Sequence, residues 1–328
     1  MCPMRVLITG GAGFIGSHLT DLLLEQNHEV WALDNLSTGA LRNIQHLKNI
    51  PRYHLTIGSI LDSPLLSELV ERVDVIVHLA AAVGVRFILE NPVGSMETNI
   101  RGTENILEQA VKEKKLVLLA STSEVYGKSR KVPFCEDDDL VIGAPLKSRW
   151  AYACAKAADE FLALAYWKEH GLPVIITRFF NTVGPRQTAR YGMVLPHFIA
   201  QALAGEPLTV YGDGQQSRCF ACVQDVVATV AALLGNATAV GEIFNVGNNE
   251  EITIEELARR VIGVTGSSSA IVFVPYEQAY GEGFKEFEDM RRRVPCLEKI
   301  DRFTGYRLKT PLDQIIQMVV EQQNGISS

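Results

Sequence analysis

The stretch that decides the fold is MRVLITGGAGFIGSHLTDLLLEQNHEVWALD, residues 4–34. Its first apolar run leads directly into four glycines within residues 10–16, and a helical pattern of apolar side chains begins at Phe14. A second apolar run follows this helix and ends in Asp34. This order of strand, glycine turn, helix, strand and acid predicts a binding site for a dinucleotide.

Each glycine of the turn has a physical task. One makes the tight turn, one lets the backbone approach a pyrophosphate, and one lets the helix pack on the strand. The helix N-terminus offers N–H groups and a partial positive charge to the phosphates. Asp34, 18 residues after Gly16, is placed to bind the adenosine ribose and would repel a 2′-phosphate, so the pattern predicts NAD rather than NADP. The residues assigned to this part of the site are Gly10, Gly13, Phe14, Ile15, Gly16 and Asp34.

The composition limits the classes of partner. The chain has 328 residues, 47% hydrophobic and 21% charged, which is typical of an α/β protein of one or two domains. The net charge of −7, with a basic cluster only at residues 291–293, makes nucleic acid and anionic membranes unexpected partners. No apolar run reaches about 18 residues, and a strand begins near residue 5 with no room for a signal peptide. We therefore expect a cytoplasmic protein.

The six cysteines include one CxxC, Cys219 and Cys222, within the sequence RCFACVQD. No second pair or nearby histidine completes a zinc site, so we expect no metal and predict small buried or half-buried thiols in a reducing cytoplasm. The sequence around them predicts a strand that runs into a helix.

Strand and helix patterns alternate through the first half of the chain, which predicts a doubly wound parallel (Rossmann) sheet. We expect an NAD-binding domain over residues 1–180 and a smaller C-terminal α/β substrate domain over 181–328, with returns to the main sheet near 220–223 and 243–246. Ligands should lie at the carboxyl ends of the strands. The predicted strands are 4–9, 29–33, 52–57, 74–79, 116–121 and 173–179, and the predicted helices lie near 14–26, 63–71, 95–113 and 150–170.

A catalytic pair is predicted further along the chain. The apolar strand at 116–121 runs into polar residues beginning with Thr122, and Tyr152 and Lys156 form a YxxxK in a helical pattern. A spacing of four places both side chains on one helix face, where the lysine would favour the phenolate and make the tyrosine a base.

With these motifs in place, the chain resembles the NAD-dependent nucleotide-sugar epimerase/dehydratase group of the extended short-chain dehydrogenases/reductases, nearly end to end. The resemblance implies tightly held NAD, oxidation of a UDP-sugar at C4, return of the hydride, and homodimers built from the helices near 95–113 and 150–170. It rests on TGGAGFIG at 9–16, DNLSTG at 34–39, HLAA at 78–81, Thr98-Asn99 with Gly102-Thr103, YxxxK at 152–156, RFFNTVGPRQ at 178–187, EPLTVYGDGQQSR at 206–218 and FNVGN at 244–248.

The resemblance also implies residue roles. Thr122 matches the catalytic Ser/Thr of the group, Tyr152 the base and Lys156 its partner, and Arg218 matches the arginine that grips the UDP diphosphate. Where the group often has Gly-Asp-Ile after the third strand, this chain has Ser59, which would replace the Asp at the adenine. Further cofactor contacts are implied at Asn35, Ser37, Thr38, Gly39, Ile60, Leu79, Ala80, Ala81 and Asn99, and substrate contacts at Asn181, Val194, Thr209 and Tyr211.

The residues after Thr122 indicate which chemistry follows oxidation. The 4,6-dehydratases of the group have Asp then Glu here, and simple 4-epimerases have apolar or small residues, whereas this chain has Ser123 and Glu124. Serine is a poor general acid, so dehydration is disfavoured. TSEVYG resembles the UDP-glucuronate decarboxylase (UDP-xylose synthase) subgroup, in which Glu124 would lie near C5 and C6 of the sugar. The alternative for Glu124 is a structural carboxylate.

Two arginines are candidates for binding the substrate. Arg293, in Arg293-Val294-Pro295, occupies the place of the Arg-Lys-Pro of those decarboxylases and would bind a uronic acid carboxylate. Epimerases of the group also have an arginine near this place, so Arg293 distinguishes a decarboxylase from an epimerase only poorly. Arg86 faces either the sugar or solvent.

The sequence thus leaves more than one function open. The hypothesis is an NAD-dependent UDP-glucuronate decarboxylase that forms UDP-xylose or releases the 4-keto pentose. The alternatives are a UDP-sugar 4-epimerase acting on UDP-glucose or UDP-glucuronate, a 4,6-dehydratase, and an NAD-binding regulator without catalysis.

Overall fold

The computed structural model describes residues 3–84, 91–188, 193–275, 278, 290–305 and 310–325. The strands are β1 (Arg5–Thr9), β2 (Glu29–Asp34), β3 (Tyr53–Ile57), β4 (Val75–His78), β5 (Leu116–Thr122), β6 (Val174–Phe179), β7 (Thr182–Val183), β8 (Leu208–Tyr211), β9 (Ser217–Cys219), β10 (Ala221–Cys222), β11 (Ile243–Val246), β12 (Glu251–Thr253) and β13 (Ile271–Val274). The α-helices are α1 (Phe14–Glu25), α2 (Ser63–Glu71), α3 (Pro92–Lys112), α4 (Trp150–His170), α5 (Val194–Ala204), α6 (Val223–Leu234), α7 (Ile254–Thr265), α8 (Glu298–Thr304) and α9 (Leu312–Gln323).

Seven strands form the main sheet in the order β11-β6-β5-β4-β1-β2-β3, and every neighbouring pair is parallel. The strand order reverses between β1 and β4. A reversal of this kind opens a crevice at the carboxyl ends of the strands, where α/β proteins bind ligands. The predicted doubly wound fold is confirmed, and the predicted bounds of its first six strands agree to within one residue.

The strands are apolar on both faces because helices cover both sides of the sheet. All of β4 is buried, as are the last four residues of β1. On one face, Leu19 and Leu23 of α1 share a core with Val226 and Val230 of α6. The other face is covered by side chains of α2, α3 and α4, among them Leu66, Ile106 and Ala163.

The two predicted returns to the main sheet differ in outcome. Residues 243–246 form β11, which pairs with β6 at the edge of the sheet, as predicted. The prediction for 220–223 is wrong, because β10 pairs with β7 in a separate two-stranded sheet. Asn181, with a φ of 25°, lies between β6 and β7, so the extended backbone of β6 ends before the two residues with which β10 pairs. The predicted strand running into a helix is confirmed, since β10 leads directly into α6.

A second core lies in the C-terminal part of the chain. Helices α5, α7 and α9 pack around it through Phe198, Leu257, Ile315 and other buried side chains. Strands β8 and β13 form a parallel pair in this part of the molecule. Within the described ranges, no helix combines the length and the apolar character needed to cross a bilayer.

Candidate active site

The glycine loop between β1 and α1 is closely packed. Gly10 has a φ of 75°, and its N–H donates to the carbonyl of Leu33 over 2.7 Å. A Cβ on Gly16 would lie 2.2 Å from the Gly10 carbonyl oxygen, so any larger residue would push the helix away from the loop. Phe14 and Ile15 begin α1, which places their N–H groups at its N-terminal end, toward the crevice.

Asp34, at the end of β2, connects two loops. Its Oδ2 accepts a hydrogen bond from the Ala12 N–H over 2.9 Å, and its Oδ1 accepts one from the Leu36 N–H over 2.7 Å. A Cβ on Gly39 would lie 2.8 Å from both carboxylate oxygens, so the loop that follows β2 folds back over Asp34. Asn35 stabilises this loop by accepting a hydrogen bond from the N–H of Ser37, and Thr38 lies between Ser37 and Gly39 in the same loop.

The expected adenine side begins after β3. Ser59 Oγ accepts a hydrogen bond from the Leu61 N–H over 3.1 Å, and the side chain of Ile60 is buried against Gly102 of α3. Asp62, close to Ser59 in the same loop, caps α2 by accepting a hydrogen bond from the Leu65 N–H with its Oδ1.

The loop after β4 is fixed from two sides. The Leu79 N–H donates to the Thr9 carbonyl, and the Ala80 N–H donates to the Thr9 hydroxyl. Asn99, buried on α3, accepts from the Ala82 N–H over 2.7 Å and donates to the Ala82 carbonyl. These bonds fix the loop that contains Ala81 at the edge of the crevice, next to the glycine loop.

Tyr152 and Thr122 are brought together as the sequence predicts. The Tyr152 phenol hydrogen-bonds the Thr122 side chain, which also accepts from the Glu124 N–H over 3.2 Å. Ser123 is buried in the same turn. Burial raises the pKa of Tyr152, and the carboxylates of Glu124 and Asp159 raise it further.

The sequence predicts the Lys156 ammonium near the Tyr152 phenol, but the hydrogen bond that the structure gives for this ammonium is with Asp159. Lys156 Nζ donates to Asp159 Oδ2 over 2.8 Å, one turn further along α4. The sequence predicts a lowered pKa for Tyr152, whereas in this arrangement its burial, followed by the carboxylates of Glu124 and Asp159, raises the pKa and disfavours the phenolate.

A buried chain of polar groups continues from this ion pair. Asp159 hydrogen-bonds Thr103 of α3, whose hydroxyl lies 3.3 Å from His78 Nε2. His78 Nδ1 lies 2.8 Å from the Thr9 hydroxyl. Burial, together with the nearby positive charge of Lys156, lowers the pKa of His78 to about 3. His78 is therefore neutral, and the chain links the catalytic helix to β1.

Glu124 is held by two arginines. Arg293 Nη1 lies 2.6 Å from its Oε1, and Arg149 Nη2 lies 3.2 Å from its Oε2. The side chains of Glu124, Arg149 and Arg293 are 16%, 7% and 10% exposed. Glu124 and Arg293, which the sequence assigns to the same part of the sugar, thus form a close ion pair near Tyr152.

The three successive arginines at 291–293 bind three different carboxylates. Arg291 pairs with Asp213 and Arg292 with Glu251, both near the surface, whereas Arg293 turns inward to Glu124. The strand-like bridge between Phe134 and Pro295 holds this segment beside the turn that follows β5. Arg293 is therefore the member of the cluster that lies at the candidate site.

The remaining expected substrate residues are placed around β7 to β10. Asn181 donates to the Cys219 carbonyl, and Arg218 Nη1 donates to the carbonyls of Ser217 and Met290. The Thr209 hydroxyl accepts from Gln201, and Val194 and Tyr211 lie at the start of α5 and the end of β8. Arg86 lies outside the described residues.

The sequence analysis did not assign Arg149, Asp159 or His78 to this site. For each of them, the position in the sequence gave a local reason to consider it. Arg149 stands three residues before Tyr152, Asp159 stands three residues after Lys156 on the same helix face, and His78 ends a fully buried strand.

The chain is similar over most of its length to known nucleotide-sugar enzymes. The chain is 47% identical over 302 residues, 91% of its length and 92% of the relative, to a UDP-N-acetyl-alpha-D-glucosaminuronate decarboxylase of Bacillus cytotoxicus. It is 38% identical over 317 residues, 97% of its length and 72% of the relative, to UDP-glucuronic acid decarboxylase 1 of Danio rerio.

A solved structure has the same fold over almost the whole chain. The crystal structure of UDP-glucuronic acid 4-epimerase from Bacillus cereus in complex with UDP-glucuronic acid and NAD superposes with a TM-score of 0.87 at 28% identity, covering 99% of this chain and all of that one. The family model described as GDP-mannose 4,6 dehydratase matches residues 7–319. On this match and on its decarboxylase relatives, the chain belongs to the GDP-mannose 4,6 dehydratase family of nucleotide-sugar-modifying enzymes.

Proposed function

We propose that the protein is an NAD-dependent decarboxylase of a UDP-linked uronic acid, with UDP-glucuronate as the substrate that the sequence favours. The observation that carries the proposal is the ion pair of Arg293 and Glu124, 2.6 Å apart, directly beside the Tyr152–Thr122 hydrogen bond. Decarboxylases from a bacterium and a vertebrate match nearly the whole chain, and this supports the same assignment.

The glycine loop and Asp34 fit NAD. Gly10 and Gly16 leave the loop without side chains where a Cβ would collide with backbone, and Asp34 presents a carboxylate at the end of β2, where a ribose would be bound. Two N–H groups already bind Asp34, which keeps it in place for the ribose hydroxyls. When bound, NAD supplies the oxidant and reductant for C4 of the sugar.

Tyr152 and Thr122 are the groups we assign to the hydroxyl at C4. Tyr152 takes the hydroxyl proton during oxidation, while the Thr122 hydroxyl hydrogen-bonds the same oxygen. Once C4 is a ketone, the same two side chains donate to O4 when negative charge develops there. Their hydrogen bond to each other holds both oxygens at one point of the crevice.

The decarboxylation itself follows from the chemistry of the substrate. A uronic acid oxidised at C4 is a β-keto acid, so the C5–C6 bond breaks, its electron pair forms the enolate with O4, and CO₂ leaves. A proton then returns to C5. We assign Arg293 to the substrate carboxylate and Glu124 to the orientation of that carboxylate or of the water that carries the proton.

Two other reactions of the family receive less support. A 4,6-dehydratase needs an acid to protonate the leaving hydroxyl at C6, and Ser123 is a poor acid in the place where an aspartate would stand. A 4-epimerase moves no proton at C5 and breaks no bond to C6, so it gives Glu124 no chemical task there. The solved Bacillus cereus epimerase shows that the fold also serves that reaction, so UDP-glucuronate 4-epimerisation is the alternative.

The substituent at C2 of the sugar is a separate question. The 47% identical relative is named for a 2-acetamido uronic acid, and the 38% identical relative is named for glucuronic acid. Both have the carboxylate that Arg293 is proposed to bind, so the proposed chemistry at C4 to C6 is the same for either sugar.

We further propose a cytoplasmic homodimer. Helices α3 and α4 pack side by side, and Val93 and Phe161 on them are each 70% exposed, which favours an apolar contact between two copies. In a reducing compartment the cysteines would stay thiols. Cys219 and Cys222 are buried and Cys135 and Cys296 are half-buried, as the sequence predicts, whereas Cys154 is exposed and the prediction is wrong for it. Sedimentation of the purified protein at several concentrations tests the dimer.

The proposed reaction is tested by incubating the protein and NAD⁺ with UDP-glucuronate, UDP-N-acetylglucosaminuronate or UDP-glucose. Mass spectrometry of the nucleotide sugar and trapping of released CO₂ give the products. We expect CO₂ from at least one uronic acid and none from UDP-glucose. Tyr152→Phe should lower turnover by roughly 10²–10⁴-fold while UDP-sugar binding persists. Conversion between C4 epimers without CO₂ would favour the epimerase instead.

A further inference from the structure

Cys135 and Cys296 lie next to each other in the fold, although they are far apart in the sequence. The Phe134 N–H donates to the Val294 carbonyl over 2.8 Å, and the Cys296 N–H donates to the Phe134 carbonyl over 2.7 Å. These two hydrogen bonds form the parallel bridge between Phe134 and Pro295. Cys135 and Cys296 are therefore the next residues in register on two adjacent extended segments.

The spacing of these two segments suits a disulfide. Neighbouring parallel strands lie about 4.7–4.9 Å apart, and residues in register on them point to the same face. A disulfide needs a distance of about 4.4–6.8 Å between its two Cα atoms. The thiols of Cys135 and Cys296 already hydrogen-bond each other. The two sulfur atoms are thus neighbours before any bond forms between them.

The CxxC of Cys219 and Cys222 has a different arrangement, although it is the cysteine motif that stands out in the sequence. Cys219 ends β9, which pairs with β12, and Cys222 ends β10, which pairs with β7, so the two cysteines belong to different sheets. The Cys222 thiol donates to Gln224 Oε1 over 2.8 Å. Both residues are buried, whereas Cys135 and Cys296 are half-buried. The oxidisable pair is therefore the one that the sequence does not show as a motif.

The surroundings of Cys135 affect how fast it reacts. Burial, followed by the Cys296 thiol and the Asp138 carboxylate, raises the pKa of Cys135, and the Lys131 ammonium opposes this rise. A thiol with a raised pKa is mostly protonated at neutral pH and attacks slowly. It is also a poor leaving group when a disulfide is reduced. A disulfide at this place should therefore form slowly and be reduced slowly.

We propose that Cys135 and Cys296 are an oxidation site, a thiol pair that a low-molecular-weight disulfide such as glutathione disulfide converts into an intramolecular disulfide. One cysteine, as its thiolate, attacks glutathione disulfide, forms a mixed disulfide and releases one glutathione. The second thiolate attacks the protein sulfur of that mixed disulfide, forms the bond between Cys135 and Cys296, and releases the second glutathione. The pair loses two electrons and two protons, and the two glutathione molecules receive them.

The bond would connect the segment that contains Arg293 to the loop in which Phe134 lies. Arg293 stands two residues before Pro295, and its Nη1 lies 2.6 Å from Glu124 Oε1. A covalent bond next to the bridge would hold this segment even when the hydrogen bonds of the bridge open. Oxidation should therefore stabilise the arrangement that the thiol form already has. The proposal does not depend on the reaction that the protein catalyses.

The test incubates the folded protein overnight with excess glutathione disulfide. The reaction is stopped with acid, the remaining thiols are alkylated, and the peptides are mapped by mass spectrometry. We expect one linked peptide that contains Cys135 and Cys296, lighter than the sum of its two parts by two hydrogen atoms. The melting temperature should rise by at least about 2 °C and return to its original value after reduction with dithiothreitol.

Single variants test the order of the two steps. In Cys135→Ser, Cys296 should keep one bound glutathione, because no neighbouring thiol displaces it, and Cys296→Ser should show the reciprocal result at Cys135. Either variant decides if the other does not fold. Cys154→Ser is the matched control, since Cys154 is an exposed cysteine on α4. It should form the linked peptide as the wild type does.

Three results would overturn the proposal. The first is a wild type in which Cys135 and Cys296 are recovered as two alkylated thiols after oxidation. The second is a wild type in which each of them keeps its own glutathione. The third is a disulfide that joins either of them to another cysteine instead. Release of CO₂ from a UDP-linked uronic acid is measured on the reduced protein, so the proposed function stands or falls separately.

Discussion

Lys156 and Asp159 form an ion pair in the interior of the protein, with Nζ 2.8 Å from Oδ2 and side chains only 3% and 1% exposed. Burial raises the pKa of Asp159, and the attraction of Lys156 opposes that rise. The catalytic helix therefore contains the counter-charge of its own lysine. Asp159 also contributes, after burial and Glu124, to the raised pKa of Tyr152, so this ion pair is linked electrostatically to the proposed base.

Asp159→Asn should change how the activity depends on pH. Tyr152 faces Glu124 on the turn after β5, Asp159 on its own helix, and the Thr122 hydroxyl, and both carboxylates disfavour the phenolate. Removing one negative charge lowers the pKa of Tyr152, so the rising acid limb of kcat/KM should move to lower pH. An acid limb that stays in place or moves to higher pH would contradict this role.

The same substitution should destabilise the protein, because it leaves Lys156 buried without its carboxylate. The loss of one partner of a buried pair costs about 3–5 kcal/mol in the free energy of unfolding. Asp313→Asn is the matched control, since its pair with Arg260 is exposed and should contribute less than about 1 kcal/mol. Urea denaturation followed by circular dichroism measures both variants.

Gly16→Ala should abolish NAD binding and destabilise the loop, because the new Cβ would lie 2.2 Å from the Gly10 carbonyl oxygen. We expect a loss of about 1–3 kcal/mol in unfolding free energy, the usual cost of overpacking. Gly263→Ala is the control within another helix, where a Cβ meets nothing within 4 Å and should stabilise by about 0.5–1 kcal/mol. Equal effects of the two variants would refute the close packing.

Asp34→Asn should weaken NAD binding and reduce the preference of the site for NAD over NADP. The carboxylate accepts N–H groups of Ala12 and Leu36 with separate oxygens, and an amide can replace only one of these acceptors. We expect at least about a tenfold rise in the dissociation constant of NADH, followed by its fluorescence, because charge-assisted hydrogen bonds are lost. A wild type that prefers NADP would overturn the assignment of Asp34.

His78 should make the stability depend on pH. Its pKa is about 3 in the folded protein and near 6.5 when unfolded, so the unfolded state binds more protons between these values. The stability therefore falls as pH decreases below about 6.5, by up to about 1.4 kcal/mol per pH unit from this group. His78→Gln should remove this contribution. When the free energy of unfolding is measured at pH 5 and at pH 7.5, the difference between the two values should be smaller in the variant than in the wild type.

The dinucleotide fold could be predicted from sequence because its determinants are local. The glycines at 10–16 must lie where β1 turns into α1, and the continuous apolar runs can belong only to a sheet covered on both faces. The run at 220–223 was assigned to the wrong sheet, because a short apolar run does not say which strand it pairs with. Asn181, with its φ of 25°, separates β6 from the two residues with which β10 pairs.

For the candidate site, the sequence indicates which side chains lie near one another more than which contacts they make. Tyr152 and Thr122 meet as the spacing and the strand end indicate. The partners of Lys156 and Glu124 could not be read from the same patterns, because a charged side chain can reach several carboxylates or guanidinium groups. Only the packing of α4 against the turn after β5 brings Arg149 to Glu124, and only the shared helix face brings Asp159 to Lys156.

The most direct test of the whole account follows the carboxyl carbon of the substrate. UDP-glucuronate labelled with ¹³C at C6, or the labelled 2-acetamido uronic acid, is incubated with the NAD-loaded wild type and with Glu124→Gln. The account predicts one labelled CO₂ for each UDP-pentose formed by the wild type, and a sharply lower rate in Glu124→Gln. Label that stays entirely in a hexuronic acid epimerised at C4, or a Glu124→Gln variant that releases CO₂ at the wild-type rate, would contradict it.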